Sequence, residues 1–387
     1  MQLEPRGLWL REYNTADESS ANCEIIFFIS PNKRLHPFAP ISCDSSGNRT
    51  VNVLRSTEVD LGVFGLFTFK KEFFWWANEG SESSVDSNLV AAGSLSESKE
   101  WFAENGEPII AALDDFLLVC SLGTRTRTSC IGWKAAGNGG MITRYRPDIS
   151  IPSGYSLPNL NDGLVDQTDF QEFARKTFAQ LIASADVTAL RAAIYAVVPS
   201  APRLLESDFV ALFSAVEELL LAYSRRQDMQ TILPDEKWLH LSNDIKSIIK
   251  AALPSDKSAR SLMYAKIGEL NRAPTRAIYE SFMAEYGIDT SDLWPMFGSA
   301  QGATLYDIRN WISHGEHLPR AVQDQLWIAT EHLKWTVERI LLTRLAWPIE
   351  KSEVRMNLLA MHSTAIRDLD VARAAITYSM KSCKVIP

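Results

Sequence analysis

The chain has 387 residues, of which 46% are hydrophobic and 22% charged, with a formal net charge of −8. That length and balance predict a folded chain of two domains and exclude a disordered or fibrous one. The acidic balance argues against broad, non-specific nucleic-acid binding, which rests on many basic phosphate contacts, but it leaves room for a small local site.

In chain order, residues 1–160 read as a β-rich domain. Residues 7–10, 23–29 and 51–54 are short apolar or alternating runs bounded by Pro, Asn, Ser and Gly, and 59–74 continues as strand with Gly62 and Gly65 as bulge positions. The aromatic run 73–76 reads as sheet core or a sheet–helix seam rather than a platform for stacked bases. Residues 78–88, rich in Ser and Glu, are expected to form a loop. A helix is predicted from Glu107 to Cys120, with Pro108 in its first turn. Arg125 and Arg127, and again Arg144 and Arg146, have the spacing of two that puts each pair on one face of a strand. They form either a solvated sheet face or a contact surface for RNA or another anionic ligand. Residues 147–166, with Pro152, Pro158 and several Gly and Asn, read as the linker.

From 168 to 387 the helical period dominates. Helices are predicted at 169–183, 187–197, 206–225, 236–253, 257–270, 275–286, 304–314 and 320–345, with short connections that imply antiparallel neighbours and a helical extension beyond. The fold class is therefore α+β: a β-rich N-terminal domain followed by an all-α bundle. No glycine-rich phosphate loop, G-x-S-x-G elbow or H-E-x-x-H pair is present, so no cofactor and no metal are expected. Cys23, Cys43, Cys120, Cys130 and Cys383 are odd in number and show no C-x-x-C spacing. No run approaches a membrane span, and the start, Met-Gln-Leu-Glu-Pro-Arg, lacks the order of a secretory leader. The expectation is a cytoplasmic chain with free thiols and no membrane partner.

Within the helical part, residues 305–315, Leu-Tyr-Asp-Ile-Arg-Asn-Trp-Ile-Ser-His-Gly, read as one helix. Gly302 and Thr304 serve as loop and cap before it, and Gly315 takes the C′ position after it. Leu305, Ile308 and Ile312 form a core stripe at i, i+3, i+7. Asp307, Asn310 and His314 recur at +3 and +4 and line another side. Arg309 projects between the stripes, where a guanidinium needs a carboxylate, a phosphate or a second chain, because a lone buried charge is costly. Helix 206–225 offers a carboxylate. Phe209, Leu212, Phe213, Val216, Leu219, Leu220 and Tyr223 make its apolar face, Glu217 lies at the edge, and Glu218 points away. Glu217 is thus the expected partner of Arg309.

Arg-Asn-x-x-x-His-Gly at a helix end, with Tyr-Asp-Ile ahead of it, resembles the signature of the HEPN superfamily of helical domains, many of them metal-independent ribonucleases. It resembles in particular the ApeA-like branch found in anti-phage defence. The resemblance covers roughly residues 186–349 and does not extend to the N-terminal third. It implies an endoribonuclease with Arg309, Asn310 and His314 as catalytic residues and a glutamate, here Glu217, accompanying the arginine. It also implies a homodimer through the helical domain, because one chain supplies one such histidine. Asp307 is expected to support His314, and His317 to contribute just beyond the helix. The implied partners are an RNA substrate, tRNA among the candidates, and a phage-derived trigger or a cognate antitoxin. A second arginine-to-histidine match, Arg355 to His362, lacks the polar residue after arginine, since Met356 follows. Two other readings are open. One is a non-catalytic HEPN-like adaptor or antitoxin-like regulator; the other is a small-ligand sensor built on the arginine pairs.

Overall fold

Cys23, Ile25, Phe27 and Ile29 are buried along β2 (Cys23–Ile29) while Glu24 is exposed, the period-two pattern of a strand with one face on a core. The structure, a computed structural model, describes residues 9–13, 23–32, 34–35, 41–43, 49–51, 57–76, 84–137, 140–146, 163–298, 302–316, 318–361 and 369–383. Its larger sheet has the order β1 (Trp9–Tyr13), β9 (Gly140–Tyr145), β8 (Cys130–Gly137), β2, β7 (Ser84–Leu95), β6 (Leu66–Trp76), β5 (Thr57–Asp60). All its strand pairs are antiparallel. A separate pair joins β3 (Ile41–Cys43) and β4 (Arg49–Val51). Helices dominate from residue 170 onward, so the fold is α+β.

Two compact units form. The first comprises Met1–Val187, Ile194–Leu204 and Leu341–Ile366. Here α1 (Lys99–Asn105) and α2 (Glu107–Thr124) cover the sheet. Phe102 packs against Phe27 at 6.0 Å and Trp133 at 4.9 Å, and Phe116 meets Phe69 at 5.4 Å. From the other side Phe116 meets Phe178 of α3 (Phe170–Ala183) at 5.6 Å. At Gly123 the backbone of α2 runs so near α3 that a Cβ would lie 2.6 Å from the Phe173 ring, so only glycine fits. Cys23, Cys120 and Cys130 are free thiols sealed in this unit, and burial pushes Cys23 up to about 11 and Cys130 up to about 12.

The second unit comprises Thr188–Ala193, Leu205–Ile340 and Arg367–Pro387. It holds α5 (Leu205–Arg226), α6 (Asp235–Ala252), α7 (Lys257–Ile267), α8 (Thr275–Tyr286), α9 (Leu305–Ser313) and the helix Leu369–Cys383. Residues of α4 (Val187–Val197) and α10 (Gln323–Arg344) belong to both units. Among the described residues, no helix is long and apolar enough to cross a membrane.

Several local expectations are corrected. Residues 59–74 are not one bulged strand. The chain turns through Gly62 (φ 69°) and Gly65 (φ 84°), both in the left-handed region, and returns as β6. The expected loop at 78–88 is strand from Ser84 on, because the long β6 offers a backbone ladder that pairs Trp76 with Ser84 and Phe73 with Ser87. The side chains of the 73–76 run lie outside the described ones. The predicted helix to Cys120 runs on to Thr124, where the Ser121 and Thr124 hydroxyls bond back to Leu117 O (2.7 Å) and Cys120 O (2.9 Å). Arg125 is consequently the left-handed cap of α2 (φ 51°) and Arg127 lies in the following loop, so this pair is not on a strand.

Phe116 bridges the sheet and α3. Phe116→Ala is expected to destabilise the first unit by about 3–5 kcal/mol, measured as a lowered unfolding midpoint with loss of near-UV signal.

Candidate functional site

Thr304 starts α9 with a reciprocal cap. Its Oγ1 accepts the Asp307 N–H at 3.2 Å, and its own N–H and hydroxyl donate to Asp307 Oδ2 at 2.9 and 2.7 Å. At the other end Gly315 (φ 79°) donates to Ile312 O at 3.0 Å and Glu316 N–H to Trp311 O at 3.3 Å, which stops the helix after His314. The first two N–H groups of the helix donate to Pro295 O and Met296 O, both at 3.0 Å. That preceding segment is itself fixed. The Trp294 indole donates to Ala303 O at 2.9 Å, and its backbone N–H donates to Nδ1 of the buried His332 at 3.1 Å. Asp292 accepts both terminal nitrogens of Arg339, a guanidinium only 1% exposed, at 2.6 and 2.8 Å.

The buried face of α9 is Leu305, Ile308 and Trp311, whereas Ile312 is only half-buried. The expected stripe is thus turned toward Trp311, since the tryptophan offers more apolar surface than the isoleucine one residue on. On the opposite edge Arg309 reaches α5. Its Nη2 donates to Glu217 Oε1 and Oε2 at 2.9 and 3.1 Å, and Nη1 donates to Asn310 Oδ1 at 3.1 Å. The guanidinium lies 5.8 Å from the centre of the Phe213 ring. Glu217, not the exposed Glu218, is therefore its carboxylate. The pair is about one-third exposed on each side, at 32% and 34%. The lower end of α5 is held by Tyr223, whose hydroxyl donates to Glu285 of α8 at 2.8 Å; burial and that carboxylate push Tyr223 up to about 12. Beside the pair opens a groove of about 420 Å³ that also includes Gln230 and Arg272.

The remaining expected residues are distributed differently. Asp307 does not support His314, because its carboxylate closes the N-terminal cap, about 10 Å of helix rise away from residue 314. His314 is exposed, and among the described residues no side chain bonds its imidazole. Asn310 is half-buried and tied to Arg309. His317 and His362 lie outside the described residues. Arg144 and Arg146 are each about one-third exposed and are paired with acids of α2. Arg146 grips Asp114 at 2.8 and 2.9 Å and Arg144 approaches Glu107 at 3.8 Å, two acids on α2 separated by about two turns. Arg127 lies over the Tyr195 ring at 4.3 Å. The residues that mount α9, Asp292, Trp294 and Arg339, were not anticipated; the Asp-Leu-Trp-Pro run ahead of the motif was the available signal. Among the described residues no three His, Cys, Asp or Glu side chains converge as metal ligands.

No family model matches this chain, and it has no match among curated proteins or solved structures.

The two ion pairs have different weights. Asp292→Ala strands a buried guanidinium and is expected to cost about 3–5 kcal/mol. Glu217→Ala removes a half-open pair and is expected to cost about 1 kcal/mol or less. Urea unfolding of the two variants side by side checks the order.

Proposed function

We propose that the helical unit is a HEPN-type, metal-independent endoribonuclease of anti-phage defence, acting as an abortive-infection or toxin-like effector. Its site is composite, shared across a twofold by two copies of the chain. The observation that carries this reading is the seating of Arg309. It is oriented by Glu217 and Asn310, left partly open, and set beside a groove large enough for part of an RNA strand.

RNA brings its own nucleophile, so the reaction requires only proton transfer and charge stabilisation. A base takes the 2′-OH proton as the 2′ oxygen attacks phosphorus. The P–O5′ bond breaks, an acid gives a proton to the 5′ oxygen, and a 2′,3′-cyclic phosphate remains. His314 of one copy and the same residue of the second copy fill these two proton roles. Arg309 lies against the phosphorane through donors that Glu217 and Asn310 do not use, and the Asn310 amide faces the same oxygens. A second reading, a non-catalytic binding module with regulator or adaptor function, is favoured by one observation: no described side chain orients the His314 imidazole.

Two measurements decide between them. His314→Ala is expected to lower RNA cleavage by about 10²–10⁴-fold with an unchanged unfolding midpoint, while His362→Ala stays active. Full cleavage by His314→Ala overturns the ribonuclease reading. Cleavage is also expected to persist in excess chelator and to leave 2′,3′-cyclic phosphate ends. Products with 3′-OH and 5′-phosphate ends, or loss of activity in chelator, indicate a metal-dependent nuclease instead.

A further inference from the structure

Glu218 lies on α5 one residue beyond Glu217, about 100° further round the helix, and both line the groove beside Arg309. Glu217 is taken by Arg309. Glu218 is exposed, and among the described residues its carboxylate bonds no other side chain. Arg272 lines the same groove, is exposed, and likewise has no side-chain partner among the described residues. Two opposite charges thus share one cleft without forming an ion pair. The backbone holds Arg272 there. Ala273 N–H donates to Gln230 O at 3.0 Å and Ile232 N–H to Asn271 O at 2.8 Å. The Asn271 side chain, only 4% exposed, clasps the N–H and the carbonyl of Leu233 at 2.8 and 3.0 Å. An arginine mounted on such a clip loses less freedom on binding than one on a loose loop. Leu221 and Ile278 add apolar surface to the same groove.

We infer that the groove seats one unpaired RNA nucleotide and selects guanine, with Glu218 and Arg272 as the residues that set the choice. Placing that nucleotide on an RNA strand, beside a phosphate held by Arg309, rests on the ribonuclease reading. The size fits: about 420 Å³ is near the lower end of small-molecule sites, room for one nucleotide and not for a duplex. A single strand offers an unstacked base with its edges open. The charges fit a base better than a second phosphate, which suits Arg272 but is repelled by the Glu218 carboxylate. A carboxylate only accepts and a guanidinium only donates, and each does so in pairs. Guanine carries an adjacent pair of donors, N1–H and the N2 amino group, and an adjacent pair of acceptors, O6 and N7. Adenine, cytosine and uracil each lack the donor pair. Glu218 therefore takes N1–H and N2–H, Arg272 takes O6 and N7, and Leu221 and Ile278 give the ring apolar surface.

The test is binding of short uridine strands that carry one guanine, adenine or cytosine. Their riboses are 2′-O-methylated and cannot attack phosphorus, so affinity is read without cleavage. The full chain is expected to hold the guanine strand roughly 10–100-fold more tightly than the others, the scale of a bidentate base contact. Two altered bases assign the contacts. Inosine lacks the N2 amino group; it is expected to bind the wild type about 10-fold more weakly than guanine and to bind Glu218→Ala as well as guanine does. 7-Deazaguanine lacks N7; it is expected to show the same loss in the wild type and none in Arg272→Ala. Both side chains are exposed, so the variants are expected to melt with the wild type. Equal affinity for all the strands, or a guanine preference that survives both substitutions, overturns the inference. Free guanosine monophosphate held as tightly as the guanine strand overturns RNA as the source of the base. Guanine selection without cleavage of the unmodified strand upholds the groove and overturns the ribonuclease reading; cleavage without selection does the reverse.

Discussion

A guanidinium sealed from water must be matched at short range or the fold fails around it. In the helical unit one such guanidinium is Arg339, which takes the Asp292 carboxylate with two nitrogens and the Asp289 carbonyl besides. The match fixes the stretch after α8. Trp294 is then locked by its indole to Ala303 O and by its backbone to His332, and the carbonyls of Pro295 and Met296 are left where α9 begins. The start of the motif helix thus has its free N–H groups satisfied by a segment that is itself immobilised. Its direction follows from the Arg339 contact rather than from any intrinsic preference of nine residues for helix.

The strong and weak charge pairs are divided by role. Arg339 and Asp292 are a largely buried pair, and removing the carboxylate from beside a sealed guanidinium is costly. Arg309 and Glu217 are a half-open pair, weak enough in water that an incoming anion can share the arginine without dismantling the helix. Under the proposed reading that difference is what a phosphate site requires: an arginine held in direction, with donors to spare. The short cap of α9 serves the same end. Asp307 is committed to Thr304, so the acid that repeats with Asn310 and His314 does not compete for the substrate side.

In the sheet-bearing unit three arginines are held by neighbours of the same unit. Arg146 and Arg144 reach acids on α2, and Arg127 packs on Tyr195. Each unit has a groove lined by two arginines: Arg34 and Arg175 in the sheet-bearing unit, Arg309 and Arg272 in the helical one.

Periodicity alone determined most of the helical elements, since an apolar stripe every three to four residues has no other stable use. The α+β class, the caps at Thr304 and Gly315, and the choice of Glu217 over Glu218 were legible for the same local reason. Each depends on angles within one helix or on residues within one turn. What the local pattern could not reach were contacts set by distant partners. Ser84–Asn88 looks like a loop until β6 supplies its ladder, and Arg144 and Arg146 look like a free face until α2 supplies two acids. Helical spacing fixes which side chains share a face, and the rest of the fold determines what that face meets.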